Sequence, residues 1–256
     1  MNVLDVYRKR VENKGCGKRD ELLKRETFML SQKMRDNLSY NTVLINNISQ
    51  DVAIINSDNL NEKLIYSLPE EDIELGSMVN WMDSMWIVTE RDANTTVQTK
   101  AKMIQCNHLL RWVADDNTIQ EQWCVIEDGT KYLTGELEDR HFIVTRGDMR
   151  LAMTISKNEY TSKFNRESRF LIDDEDSDLK LAFLLTKPLK KGWTYNGKGV
   201  FKFVLQEVTV TKDDNQELGI ADYYKHFPKE LCVESHSGIV IDDGCPCDDN
   251  KREGWL

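Results

Sequence analysis

The spacing of apolar positions changes once along the chain. Over residues 2–38 they fall at helical spacings: Leu4, Tyr7 and Val11 three and four apart, then Leu23, Leu30, Met34 and Leu38 seven, four and four apart. That is the repeat of one helix face. Gly15-Cys16-Gly17 interrupts it, and glycine is the usual residue just past a helix end. The pattern therefore predicts a helical pair, its second member running from about Lys18 to Asn37. Lys, Arg and Glu fill that helix's other face. Two places stay open for it: packed on the body of its own chain, or at an oligomer contact.

From Tyr40 the texture becomes β. Thr42–Ile45 and Val52–Ile55 are short β-branched runs, with Asn46-Asn47 and Ser49-Gln50-Asp51 reading as turns between them. Further strands are expected at Val79–Trp81, Met85–Thr89, Thr99–Cys106, Trp123–Ile126, Phe142–Thr145, Arg150–Ile155, Arg169–Ile172, Leu181–Leu185 and Val200–Val210. Such close spacing predicts antiparallel sheet, barrel or sandwich, rather than βαβ units.

A weak internal echo runs through this region. Leu75–Trp81, Trp86–Thr89 and Lys100–Cys106 follow the same scheme as Asn165–Ile172, Ala182–Thr186 and Gly199–Glu207. Each reads as turn, strand, tight connection, apolar strand ending in Thr, polar turn and long strand. The expected fold is α+β and mostly β. It comprises a helical segment at 1–39, a β-barrel module at 40–145, a second β module at 146–228 and an extended tail at 229–256.

Composition narrows the function classes. The chain has 256 residues and a formal net charge of −10, a balance that argues against coating nucleic acid. No apolar run approaches the roughly 18 residues that span a bilayer, and the first residues lack a signal peptide's apolar core. Synthesis and retention in a cytoplasm are expected. Six scattered cysteines fit reduced thiols better than a disulfide framework.

Catalytic signatures are missing: no Gly-x-Gly-x-x-Gly, no phosphate-binding loop, no Gly-x-Ser-x-Gly and no His-Glu-x-x-His. No catalytic residue, cofactor or resident metal is expected. Cys232, Cys245 and Cys247, with His236 nearby, are weak candidates for zinc, because one proline between two cysteines is awkward spacing. The acidic run Asp173–Asp178 could hold calcium but lacks the helix-flanked EF-hand pattern, and a solvated turn is the plainer reading. Trp81, Trp86, Trp112 and Trp123, interleaved with Lys100, Lys102 and Arg111, read as barrel core. The alternative is a stacking platform for single-stranded nucleic acid.

Three strings carry a family resemblance: Val3–Val11, Gln105–Trp112 and Glu217–Tyr224. In this order, and with the module ending Trp86-Ile87-Val88-Thr89-Glu90, the chain resembles structural proteins encoded among the head and neck genes of tailed phages and prophages of Gram-positive bacteria. The hairpin Gly76-Ser77-Met78-Val79 followed by Trp86-Ile87-Val88 is similar to that of small head-closure barrels. The resemblance implies a virion neck protein, made in the host bacterial cytoplasm. It would form a ring of twelve or six copies between portal or adaptor and tail, closing the channel while DNA passes without specific binding. The helical start, the greater length and the Cys-containing tail depart from a minimal stopper, which leaves adaptor, collar or decoration roles open. Contacts with neighbours are expected on segments that reach away from the core. These are the N-terminal helix (Leu4, Tyr7, Val11), the loop after Leu110, the acidic loop (Asp173, Asp174, Asp176), and the C-terminal stretch (Tyr223, Tyr224, Trp255).

Overall fold

The computed structural model describes Leu4 and residues 17–69, 71–92, 97–128, 150–173, 179–189, 194–195 and 197–228. Within these residues the N-terminal region contains one long helix, α1, at Lys18–Arg35. Apart from Leu4, the first helix of the expected pair lies outside the described residues, as do the strand at 142–145 and the tail at 229–256.

Asp20 and Glu21 in the first turn of α1, and Lys33 and Arg35 in the last, oppose its macrodipole favourably. The helix barely touches the body. Only Met34 is buried, against Ala53 and Leu68, with Tyr40 and Tyr66 alongside. Leu38, expected on the same apolar face, lies beyond the helix end and is fully exposed.

Two antiparallel barrels follow. The first is closed and uses β1 (Tyr40–Ile45), β2 (Ile48–Asn56), β3 (Glu62–Ser67), β4 (Met78–Trp81), β5 (Ser84–Arg91) and β6 (Lys100–Gln105) in the order β1-β2-β3-β6-β5-β4. Asn46-Asn47 and Met82-Asp83 are two-residue hairpin turns with both residues at positive φ, where Asn and Asp are the best tolerated non-glycine residues. Ser49-Gln50-Asp51, expected as a turn, belongs to β2. Its Asp51 accepts hydrogen bonds from the Tyr40 and Thr42 hydroxyls on β1, so these polar residues form the wet face of a strand.

The second sheet uses β7 (His108–Val113), β8 (Ile119–Asp128), β9 (Arg150–Ser156), β10 (Arg169–Ile172), β11 (Leu181–Leu189) and β13 (Lys198–Val208), with the short β12 (Thr194–Tyr195) hairpinned onto β13. Its order is β10-β11-β13-β9-β8-β7. Read from β7, this repeats the first barrel strand for strand: three sequential strands, then a meander that returns in reverse. The sequence echo maps onto these meanders, β4-β5-β6 and β10-β11-β13. Even the shared Thr has a common role, because Thr89 and Thr186 are each the extra residue where pairing slips by one.

The change of sheet falls between Gln105 and His108. β7 and β8 pair only with each other and with β9. Leu110 is therefore not followed by a loop. The chain continues through β7 and turns at Ala114–Thr118. The two barrels differ in closure: β1 bonds β4 through Leu44↔Asn80 and Ile45↔Val79, whereas β7 and β10 lie side by side with no ladder between them.

Each barrel has its own core. The first packs Val52, Ile65, Val79, Val88 and Met103 around Trp86. The second is aromatic: Phe164 meets Trp112 at 5.1 Å and Phe170 at 5.0 Å, both edge-on, the geometry ring quadrupoles favour. The barrels join through Ile87, Cys106, Val125 and Val200. At this junction Gly76, at φ +81°, lies directly against the Gly199 backbone, and Ser156 Oγ donates to the Gly76 carbonyl at 2.6 Å.

Candidate interaction surfaces

The β7–β10 seam carries no ladder of backbone hydrogen bonds. A cleft of about 220 Å³ opens at one end of it, lined by Trp112, Tyr160, Lys163, Phe164, Arg169 and His226 among others. Arg169 dominates its wall, and both of its terminal amino groups are engaged within the protein. Its guanidinium donates to both Asp214 carboxylate oxygens (3.0 and 3.1 Å), to Asp222 Oδ1 (2.7 Å), to the Thr211 hydroxyl and to the Thr209 carbonyl (both 3.2 Å). Asp214 is fully buried and also accepts the Thr211 and Asp222 backbone N–H groups. Burial alone would raise its pKa; the two N–H donors and the guanidinium more than reverse this and hold it below the usual carboxylate value. The cluster is a clamp that pins residues 209–222 to the start of β10.

At the seam's other end His108 Nδ1 lies 3.4 Å from Asp173 Oδ1. Burial pushes the His108 pKa down, and the neighbouring Asp173 carboxylate only partly offsets it. Asp173 is thus placed at the end of β10 with an exposed carboxylate. Tyr223 and Tyr224 sit half-buried on a short helical turn, α2 (Tyr223–His226), their rings 5.3 Å apart. The Tyr223 ring also stacks on Phe227 at 4.9 Å. Leu4 is exposed. Tyr7, Val11, Asp174, Asp176, Trp255 and the three candidate zinc cysteines, Cys232, Cys245 and Cys247, lie outside the described residues. Among the described residues no group of three or more His, Cys, Asp or Glu side chains is placed to hold a metal.

The tryptophans do not assemble into a stacking platform. Trp86 and Trp112 are buried in different barrels, and Trp81 packs on Trp86 at 5.6 Å. The nearby cations are engaged elsewhere: Lys102 pairs with Glu62, Arg111 with Glu121, and Lys100 lies over the Tyr66 ring. Trp123 differs, being 37% exposed on the outer face of β8. Its cross-strand partner is Leu109, and Val113 faces Ile119 two rungs further along. The alternation Leu109/Arg111/Val113 and Ile119/Glu121/Trp123 is visible in the sequence, but it marks this face only once β7 is recognised as a strand.

Two cysteines are described, Cys106 and Cys124, both reduced and buried. Burial pushes the Cys106 thiol up to about 12 and the Cys124 thiol higher still. Neither thiol is expected to react with a maleimide in the native protein at pH 8; rapid labelling of either in intact protein, read by peptide mass spectrometry, would contradict this packing. Both thiols stay neutral in the folded state, so their contribution is complete below the unfolded thiol pKa and declines as pH rises above about 9.

Residues 7–105, less than half of the chain, match the family model of the YomX N-terminal domain, which is named after a phage/prophage protein of Bacillus. The match ends at Gln105, the last residue of β6, so it covers the first barrel and the arm before it and none of the second. No curated protein and no solved structure matches the chain. The N-terminal arm and first barrel are therefore similar to a phage-related domain.

Proposed function

We propose that this protein is a non-enzymatic structural component of a phage virion, located at the head–tail connection. There it would form a homo-oligomeric ring of twelve or six copies that joins portal or adaptor to tail and helps close the DNA channel. The carrying observation is the phage-related match over residues 7–105, ending at a barrel boundary. Two rigid barrels fixed to one another, with a helix projecting from the first, supply the parts a ring subunit needs: a stiff body and an extension that reaches a neighbour. A net charge of −10 suits a channel wall along which DNA slides without sticking. Adaptor, collar or decoration roles in the same particle would use the same parts.

Negative-stain images of the concentrated protein are expected to show rings, and mass spectrometry of purified particles is expected to find this chain. A protein that stays monomeric at high concentration and is absent from particles would refute the reading. A salt-sensitive titration that shows tight binding to single-stranded nucleic acid would redirect it to a binding module.

A further inference from the structure

Charge is segregated along this chain. Residues 1–35 hold ten Lys and Arg against five Asp and Glu, so the remaining residues carry −15 of the overall −10. The helix α1 contributes six of those cations against three acids. It also presents apolar side chains that nothing covers: Leu22 is 55% exposed and Met29 43%. Seven residues apart, they lie one above the other on a helix, with Glu26 between them and the three cations Arg19, Arg25 and Lys33 around them. The face pairs exposed apolar side chains with a net basic surround, three cations to one acid.

The outer face of the β7–β8 hairpin has the opposite character. Leu109, Val113, Ile119 and Trp123 form its apolar part, with Ile119 49% exposed. Residues 108–128 contain five acids (Asp115, Asp116, Glu121, Glu127 and Asp128) against one cation; that cation, Arg111, pairs with Glu121 on this face and Lys163 lies 3.8 Å from Asp115, which leaves the hairpin net acidic. Neither surface complements a copy of itself, because like charges would meet. Each complements the other in both apolar content and sign.

We infer that α1 of one copy docks across the outer face of the β7–β8 hairpin of a second copy. The contact joins two different patches, so it is head-to-tail, and head-to-tail contacts propagate into closed rings or filaments rather than stopping at a two-fold dimer. It rests on the ring reading above and names the surfaces that would build the ring. The central Trp123 and Met29 supply the desolvated anchor, and the charged borders set orientation and approach rate.

The test uses full-length chains carrying Leu22→Glu/Met29→Glu or Ile119→Glu/Trp123→Glu, all at exposed positions, with folding checked by circular dichroism. Each double variant is expected to weaken self-association at least tenfold in light-scattering chromatography. Raising salt from about 0.05 M to about 0.5 M is expected to weaken the wild type. An equimolar mixture of the two variants retains one intact α1 and one intact hairpin, so it should form one-to-one dimers and nothing larger. Wild-type rings that survive both double variants would overturn this contact and leave the ring reading standing. A wild type that never self-associates would overturn both. Dimers of the hairpin variant alone would show a helix-to-helix contact, and loss of DNA binding rather than of assembly in the α1 variant would assign the basic face to nucleic acid; either overturns the inference.

Discussion

Replacing Gly76 with valine is expected to cost about 3 kcal/mol or more of folding stability and to loosen the two barrels from one another. Two separate effects add. At φ +81° any L side chain is strained, by roughly 1–2 kcal/mol. A Cβ there would also sit 2.1 Å from the Gly199 carbonyl oxygen, a backbone atom that no rotamer change can move aside. That oxygen is held from behind, since it accepts the Lys157 N–H at 2.8 Å. Relief therefore requires the barrels to part, exposing Ile87, Cys106, Val125 and Val200 and disturbing the Ser156–Gly76 hydrogen bond and the Lys198–Glu74 ion pair. Gly197 is the control. Its φ is +79° but a Cβ would meet nothing within 4 Å, so Gly197→Ala should cost only the conformational part, about 1 kcal/mol. Guanidinium denaturation checks both. The wild type should unfold in one transition and Gly76→Val in two, because each barrel has its own core. A single transition in Gly76→Val, with a midpoint equal to that of the Gly197 variant, would mean the contact is not rigid.

The β-rich body was legible because its signals are local. Paired asparagines at Asn46-Asn47 force a tight turn whatever surrounds them, and the run Trp86–Thr89 alternates poorly because it is buried in a closed barrel. The echo between Leu75–Cys106 and Asn165–Glu207 pointed to two β modules, and the structure shows it as a repeated meander with a bulged Thr in each. What it did not reveal was where one barrel stops. β7 reads His-Leu-Leu-Arg-Trp-Val, an apolar run that periodicity cannot separate from a loop or a helix turn, and only its pairing with β8 shows the face it belongs to. β3, Glu62–Ser67, was missed for a similar reason: it is short and begins with two charged residues, one of which, Glu62, pairs with Lys102 on β6.

Of the surface candidates, α1 was recognisable from its composition, yet its apolar positions divide between two faces. Met34 anchors it to the first barrel, while Leu22 and Met29 point away. A one-dimensional pattern cannot make that division, because it depends on how little of the helix the barrel reaches. The clamp at Arg169 left no sequence signal at all. Its partners Asp214 and Asp222 are 45 and 53 residues away, among 44 acidic residues that offer many accidental pairs.

The charge of that clamp is the source of much of its stability. Arg169→Met removes the cation from a carboxylate with no solvent exposure, and leaving a buried charge unpaired is expected to cost about 3 kcal/mol or more. Its pH dependence separates this from simple loss of packing. In the wild type Asp214 is held below its ordinary 3.8, so its contribution is complete above that value and disappears as pH falls through the lower folded value. Without the guanidinium, burial would dominate and raise the Asp214 pKa, so the variant should take up that proton at a higher pH than the wild type. The stability gap between wild type and Arg169→Met should therefore narrow as pH falls towards 4. Arg169→Met/Asp214→Asn should recover part of the loss at neutral pH, because a neutral amide is cheaper to bury and its oxygen still accepts one of the two N–H groups. Urea titrations at a series of pH values measure the gap, and hydrogen exchange of residues 209–222 locates the change. A gap that stays constant from neutral to acid would mean Arg169 acts through its aliphatic stem, not its charge. If the gap does narrow, this charged pair fixes the start of α2 beside the cleft.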